Sequence, residues 1–384
     1  MHFSFPPRER ALSSVRLTAH THTRIQSYRG IIAFVVRVCV HIKLHTLSRQ
    51  HLSSSSPLSS YHHTYSRQRI MVQGTPLGKG IFVPIPTFFK PENEDLDLEA
   101  LEKHIKYMCN TGVAGIIFMG STGEAVHLSD EERITMISKG REFIQKYDPS
   151  VKVLAGAGIQ SARGTIKLAK DAAAAGAGHV LVLPPSYYKP SMSSDALYAF
   201  FKRVADESPI PVVIYNYPGV TQGVDIDAQT IVKLAKHPNI VGIKGTDGNI
   251  GKVGYVAHRI TPEDNFALLA GSVDFFLPAL AVGAVGCVPG LGNVAPRACV
   301  EIQKLFEKGD LEGAKKLQQT LVEPDDALAR WYGNPGVKGC MQRVLGWGGL
   351  PRNPLQPLPA DQVEAIAKAV GVSMTIEQSL TTSS

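Results

Sequence analysis

Lys244 ends the apolar run Ile240-Val241-Gly242-Ile243, where a charged side chain has little water around it. A neutral amine is a nucleophile that forms a Schiff base with a carbonyl. The plain alternative is a strand-end lysine that reaches solvent or pairs with a carboxylate, and for one lysine taken alone that reading is the stronger. Residues at matching places elsewhere shift the balance. Tyr215 ends the run Val212-Val213-Ile214-Tyr215-Asn216-Tyr217-Pro218 much as Lys244 ends its own. A phenol beside a carbinolamine can carry protons. Core packing is the alternative, and the better one for Tyr217.

The segment Gly120-Ser121-Thr122-Gly123-Glu124 is a glycine-bracketed turn. Its backbone N–H groups and two hydroxyls suit a carboxylate, although Ser/Thr capping of a following helix uses the same residues. Tyr187 and Tyr188 lie in the proline-rich stretch Pro184-Pro185-Ser186-Tyr187-Tyr188-Lys189-Pro190, where surface aromatic packing competes with a reach into a site. Ala270-Gly271-Ser272-Val273-Asp274 and the run from Gly286 to Asn293 are glycine-rich and suit close approach of a ligand to backbone. The histidines beyond residue 70 (His104, His127, His179, His237 and His258) stand far apart without metal-ligand spacing. No nucleophile elbow is present. Amine chemistry is what remains, since metal-dependent chemistry would need a carboxylate/His cluster that the sequence does not show.

These residues need a scaffold that brings strand ends together. From Met71 the chain repeats a short apolar run followed by a longer amphipathic stretch. Strands are expected at 80–89, 115–120, 152–158, 179–185, 211–218, 240–245, 266–272 and 283–290. Helical patterns between them include 96–110, 130–147, 162–175, 195–206 and 226–236. Strands alternating with helices imply parallel pairing, and eight such units imply a closed (β/α)8 TIM barrel of class α/β, with reactive groups at the C-terminal strand ends. An open doubly wound sheet is the runner-up. It would carry a GxGxxG turn after its first strand, where this chain has Lys90-Pro91-Glu92-Asn93. On one face of the sixth strand, alternation sets Lys244 with Gly242 and Ile240, and on the other Val241 with Ile243. Gly242 then either leaves room for a ligand or accommodates packing. Further helices are expected at 295–308, 310–329, 337–345 and 360–370, with 376–384 frayed. The division is thus a leader at 1–70, a barrel at 71–294 and a C-terminal helical appendage at 295–384.

The chain has 384 residues and a formal net charge of +7. Residues 1–70 hold ten Lys/Arg and one acid, a net +9, which leaves 7 − 9 = −2 on residues 71–384. The body therefore offers no nucleic-acid surface. No run of 18 apolar residues appears, so no membrane-spanning helix is expected. The Arg- and Ser-rich, acid-poor leader reads either as a mitochondrial transit segment or as sequence upstream of a start at Met71, which would leave the protein cytoplasmic. Five scattered cysteines without a CxxC pair read as buried thiols.

In this order, Gly120-Ser121-Thr122-Gly123-Glu124, Tyr215-Asn216-Tyr217-Pro218 and Gly242-Ile243-Lys244 resemble the dihydrodipicolinate synthase / N-acetylneuraminate lyase family of Schiff-base aldolases, over roughly residues 78–372. The resemblance implies that Lys244 forms the Schiff base with a 2-keto acid and Tyr215 transfers protons. Ser121 would link Tyr215 to a second tyrosine, and Ser121 and Thr122, with Gly120, would hold the keto-acid carboxylate. It also implies that Tyr188 enters a neighbouring subunit's site, that no cofactor or metal is needed, and that the protein is a homotetramer built as a dimer of dimers. The glycine-rich end of the seventh strand adds Gly271 and Ser272 as candidate substrate contacts.

Within the family, synthases carry an arginine two residues after the proline of the tyrosine motif, and here that position is Val220. A valine cannot replace a bidentate guanidinium, which disfavours dihydrodipicolinate synthesis. The lyases' Asp-Glu pair after the seventh strand is half matched by Val273-Asp274. Segments 242–252 and 348–356 look most like eukaryotic 4-hydroxy-2-oxoglutarate aldolases, with 2-keto-3-deoxy-sugar-acid aldolases as near neighbours. The expected reaction is cleavage of a 4-hydroxy-2-keto acid to pyruvate and an aldehyde. A barrel without catalysis, serving as a binding or scaffold protein, is the alternative of another class. The joint presence of Lys244, Tyr215 and Ser121 argues against it.

Overall fold

The structure, a computed structural model, describes residues 74–382, so the leader, Met71 and Cys39 lie outside the described residues. Eight strands are found among them: β1 (Gly80–Pro84), β2 (Gly115–Phe118), β3 (Lys152–Gly156), β4 (His179–Val182), β5 (Val212–Asn216), β6 (Ile240–Gly245), β7 (Ala267–Ala270) and β8 (Gly286–Cys287). Each pairs in parallel with the next, and β1 pairs with β8 to close the barrel. Every strand falls inside the range its apolar run predicts; β6 matches its range end to end, and the other seven are shorter. The first stops at Pro84 instead of 89, with Phe89 making a single antiparallel bridge to Leu96.

Helices α1 (Leu98–Met108), α2 (Asp130–Tyr147), α3 (Ala162–Ala174), α4 (Ser194–Glu207), α5 (Ala228–Ala235), α6 (Ile250–Ala257) and α7 (Phe276–Ala281) follow the first seven strands in turn. The first six begin on a side-chain cap. Asp97, Ser129, Ser161, Ser193, Asp227 and Asn249 each accept from the backbone N–H three residues on. Such a cap satisfies an orphan donor and stabilises by about 1 kcal/mol. Helices α6 and α7 have no counterpart among the predicted ones. The first is eight residues long with Gly251 and Gly254 inside it, and the second is six with Pro278, too short for periodicity to register.

Two apolar layers follow from strand alternation. Phe82, Ile117, Leu154, Leu181, Val213, Val241 and Leu269 fill the barrel interior. Val83, Ile116, Val153, Val180, Ile214, Ile243 and Leu268 face the helices. The simple alternation expected for β6 fails at its start. Val212 pairs with Ile240 but Val213 pairs with Gly242, so Val241 is an extra residue. This bulge puts Val241 inside and Ile240 outside with Ile243, so Ile240 does not share a face with Lys244. Gly242 is a packing accommodation: a Cβ there would stand 2.7 Å from the Ala267 carbonyl oxygen of β7.

After β8 come α8 (Pro296–Glu307), α9 (Leu311–Ala329), α10 (Gly333–Leu345) and α11 (Ala360–Thr382). Helix α11 runs twelve residues beyond the predicted end at 370, through most of the stretch expected to fray. Buried Glu377 explains the extension. Its carboxylate accepts the Ala298 N–H at 3.1 Å, capping α8, and pairs with Arg297 at 3.0 Å. Helix α10 starts four residues earlier than predicted. The four described cysteines, Cys109, Cys287, Cys299 and Cys340, are all buried free thiols. Burial pushes Cys340 up to about 12 and Cys109 to about 11, far from thiolate reactivity. No helix among the described residues is long and apolar enough to cross a membrane.

Candidate active site

Strands β5 and β6 run side by side in register, with Tyr215 opposite Lys244. Both side chains are buried, and Lys244 Nζ stands over the Tyr215 ring at 4.0 Å from its centroid. The tyrosine hydroxyl meets Ser121 Oγ, on the turn after β2, at 3.4 Å. The structure therefore brings together the three residues that the sequence separates by 94 and 29 positions. Tyr217 stacks on Tyr215 with centroids 5.8 Å apart and an interplanar angle of 28°. Burial raises the Tyr217 phenol above its ordinary value.

The turn that carries Ser121 and Thr122 is held by its own backbone. Gly123 N–H donates to Gly120 O at 3.1 Å and Glu124 N–H to Ser121 O at 3.2 Å. Met119 and Glu124, which flank it, both have φ of 50°, a left-handed conformation that non-glycine residues adopt at a cost of about 1 kcal/mol or more. Gly156 at the end of β3 makes the turn possible, because a Cβ there would collide with the Met119 carbonyl. A Cβ on Gly120 would meet only Ile117, at 3.9 Å, so the turn leaves open space at that point. Ser121 and Thr122 are half-buried, while Glu124 is buried against Lys338 with Oε1–Nζ at 2.6 Å. Burial pulls the Lys338 ammonium down to about 8, opposed by Glu124.

The rim after β7 is built differently from its sequence reading. Gly271 donates its N–H to Gly245 O at 2.7 Å, and a Cβ there would strike Thr246, so this glycine lets the ends of β6 and β7 pack closely. Ser272 is buried, and its hydroxyl donates to Asp325 Oδ2 of α9 at 2.5 Å. Asp325 also accepts N–H groups of Asp274 at 3.2 Å and Leu291 at 3.4 Å. Burial pushes its carboxyl up to about 6, against the Ser272 hydrogen bond. Arg330 completes the cluster, pairing with Asp274 at 2.7 Å and donating to Ser272 Oγ at 3.3 Å. Ser272 thus has internal partners and acts first as a brace between the rim and α9. Among the described residues, no group of three or more His, Cys, Asp or Glu side chains could hold a metal ion.

A barrel whose β6 lysine, β5 tyrosine and β2 turn converge in this way has known relatives. The sequence profile of the dihydrodipicolinate synthetase family matches residues 78–372. The chain belongs to that family. Relatives within reach include the protein named "Probable 4-hydroxy-2-oxoglutarate aldolase, mitochondrial" of Emericella nidulans, 44% identical over 306 residues, which cover 79% of this chain and 98% of that one. The L-threo-3-deoxy-hexylosonate aldolase of Aspergillus niger is 41% identical over 329 residues, 80% of this chain and 98% of its own. Among solved structures, the dihydrodipicolinate synthase of Thermotoga maritima matches with a TM-score of 0.72 at 30% identity, covering 77% of this chain and 99% of that one.

Val220, the position at which the family resemblance leads one to expect an arginine in the synthases, is 46% exposed on the loop after β5. Tyr188 is 72% exposed and packs its ring edge-to-face on Tyr187, with centroids 5.0 Å apart, so within one chain it points to the surface. Three features escaped sequence reasoning. Asn216 is a brace: its amide donates to Asp225 at 2.7 Å and accepts the Ile226 N–H at 3.0 Å, folding the loop back beside Tyr215. Arg330 lies 115 residues from Tyr215, with no local motif around it. Thr246 has a buried hydroxyl without a hydrogen-bond partner two residues beyond Lys244, and the period of two that sets both on one face was the signal available.

Proposed function

We propose that this protein is a metal-independent, Schiff-base lyase that cleaves a 4-hydroxy-2-keto acid to pyruvate and an aldehyde. The observation that carries this reading is the buried Lys244 amine over the Tyr215 ring, with Ser121 at the phenol's hydroxyl. The Lys244 amine attacks the C2 carbonyl to give a carbinolamine. The Tyr215 phenol gives its proton to the departing hydroxyl, water leaves, and a protonated imine forms. The phenolate then takes the proton of the C4 hydroxyl. The C4–O electrons form the aldehyde carbonyl as the C3–C4 bond breaks, and the bond pair moves into the imine as an enamine. Protonation at C3 and addition of water to the imine release pyruvate and restore the amine. Ser121 and Thr122 hold the C1 carboxylate through hydroxyl and backbone N–H donors, charge-assisted bonds that fix the carbonyl over Lys244. The unpartnered Thr246 hydroxyl is suited to the C4 hydroxyl.

For the aldehyde half we favour glyoxylate from 4-hydroxy-2-oxoglutarate, in line with the name of the Emericella nidulans relative. The Aspergillus niger relative's name supports the second reading, a deoxy-hexulosonate yielding pyruvate and glyceraldehyde. Val220 removes the cation that dihydrodipicolinate synthesis would use for its second carboxylate. The exposed Tyr187–Tyr188 pair supports a homotetramer in which Tyr188 completes a neighbour's site. The basic leader and the word "mitochondrial" in a relative's name support a mitochondrial location. Pyruvate release measured with 4-hydroxy-2-oxoglutarate and with deoxy-hexulosonates tests the reading. Turnover of at least one is expected, and inertness to all of them would favour a non-catalytic barrel.

A further inference from the structure

The turn that holds Ser121 and Thr122 is gripped from outside the barrel. Asn334 Nδ2, in the first turn of α10, donates to the Ser121 carbonyl at 2.8 Å. One helical turn later on the same face, Lys338 Nζ pairs with Glu124 Oε1 at 2.6 Å. Both charged side chains are fully buried. Lys338 is fixed in turn by the Leu350 carbonyl at 2.9 Å and by the Phe89 ring, 4.2 Å away. The second Glu124 oxygen accepts the Arg352 N–H at 3.0 Å and meets His127 Nδ1 at 3.0 Å. Thr87, beyond β1, donates its hydroxyl to Gly123 O at 2.7 Å. The turn therefore takes its shape from both ends of a four-residue interval on α10, and its flanking residues Met119 and Glu124 are held in left-handed conformations that need such outside support.

We propose that Asn334 and Lys338 are positioning residues for the keto-acid carboxylate: helix α10 sets the orientation in which Ser121 and Thr122 present their donors. This rests on the functional reading above, in which that turn binds the carboxylate. The C-terminal helices then serve the site as well as stability. An amide at 334 holds the Ser121 carbonyl, and the Lys338–Glu124 pair holds the other end. Freeing either end lets the donors swing, which weakens recognition of the carboxylate without touching the amine that forms the imine.

The test uses the full chain and measures borohydride trapping on Lys244 against the concentration of two carbonyl compounds. Pyruvate carries the carboxylate and acetone lacks it. In Asn334→Ala and in the near-isosteric Asn334→Asp, pyruvate trapping should need about tenfold more pyruvate, while the acetone dependence and the thermal midpoint stay close to wild type. Glu124→Gln combined with Lys338→Met removes both buried charges together, avoids an unpaired ion, and should show the same pyruvate-selective loss. An unchanged pyruvate dependence, or an equal loss for both compounds, would overturn the proposal. Wild-type protein that traps no pyruvate at all would instead defeat the functional reading, and this one with it.

Discussion

Tyr215 and Lys244 are register partners across the β5–β6 pair, and the lysine nitrogen lies over the face of the tyrosine ring, 4.0 Å from its centroid. The contact seats the amine against the ring face, while the phenol hydroxyl reaches on to Ser121. In the mechanism proposed above, this one residue pair serves as both nucleophile and proton carrier, on neighbouring strands of the barrel.

If the Tyr215 hydroxyl carries protons, Tyr215→Phe keeps the ring under Lys244 and removes only the oxygen. The kcat for cleavage should fall about 10²–10⁴-fold while borohydride still traps pyruvate on the lysine, though more slowly. Steady-state kinetics beside a trapping assay checks this. Wild-type kcat in the variant would remove Tyr215 from the mechanism.

The floor beneath Lys244 has no spare volume. Adding a methyl group in Gly242→Ala places a Cβ 2.7 Å from the backbone carbonyl of Ala267, which cannot rotate away. Overpacking of this kind costs about 1–3 kcal/mol. Urea unfolding should show a lower midpoint, with pyruvate trapping reduced as β6 shifts. A variant as stable as wild type would mean that Gly242 leaves room instead of filling a contact.

Asp325 gives a pH signature. Its carboxyl is raised by burial from an ordinary 3.8 to about 6, so the folded protein favours the protonated form. The stability it contributes is whole below about 3.8 and is lost as pH rises through about 6. Asp325→Asn cannot ionise. The wild-type stability measured relative to this variant should decline by roughly 2 kcal/mol between pH 4 and pH 6.5. Denaturation of both proteins at pH 4 and pH 6.5 measures the difference. A difference that does not change with pH would show that Asp325 is not held near neutrality by its surroundings.

Much of this architecture was legible in the sequence because it is written in short-range pattern. Apolar runs gave all eight strands, and the residues ending the runs at β2, β5 and β6 gave Ser121, Tyr215 and Lys244. What escaped depends on contacts distant in the chain. The bulge at Val241 follows from pairing with β5, and a single strand viewed alone alternates cleanly. Ser272 looks like a free hydroxyl until Asp325, 53 residues on, accepts its hydrogen bond. The sequence of α11 fades into polar residues, yet Glu377 finds the start of α8. The grip of Asn334 on Ser121 spans 213 residues and leaves no local trace.

Every step of the proposed reaction depends on an imine at Lys244. Sodium borohydride added to the protein with pyruvate, followed by peptide mass mapping, tests it most directly. One reduced pyruvyl adduct is expected, on the peptide carrying Lys244, with loss of both adduct and cleavage activity in Lys244→Ala. An unmodified Lys244 in the wild type, with activity surviving in Lys244→Ala, would contradict it.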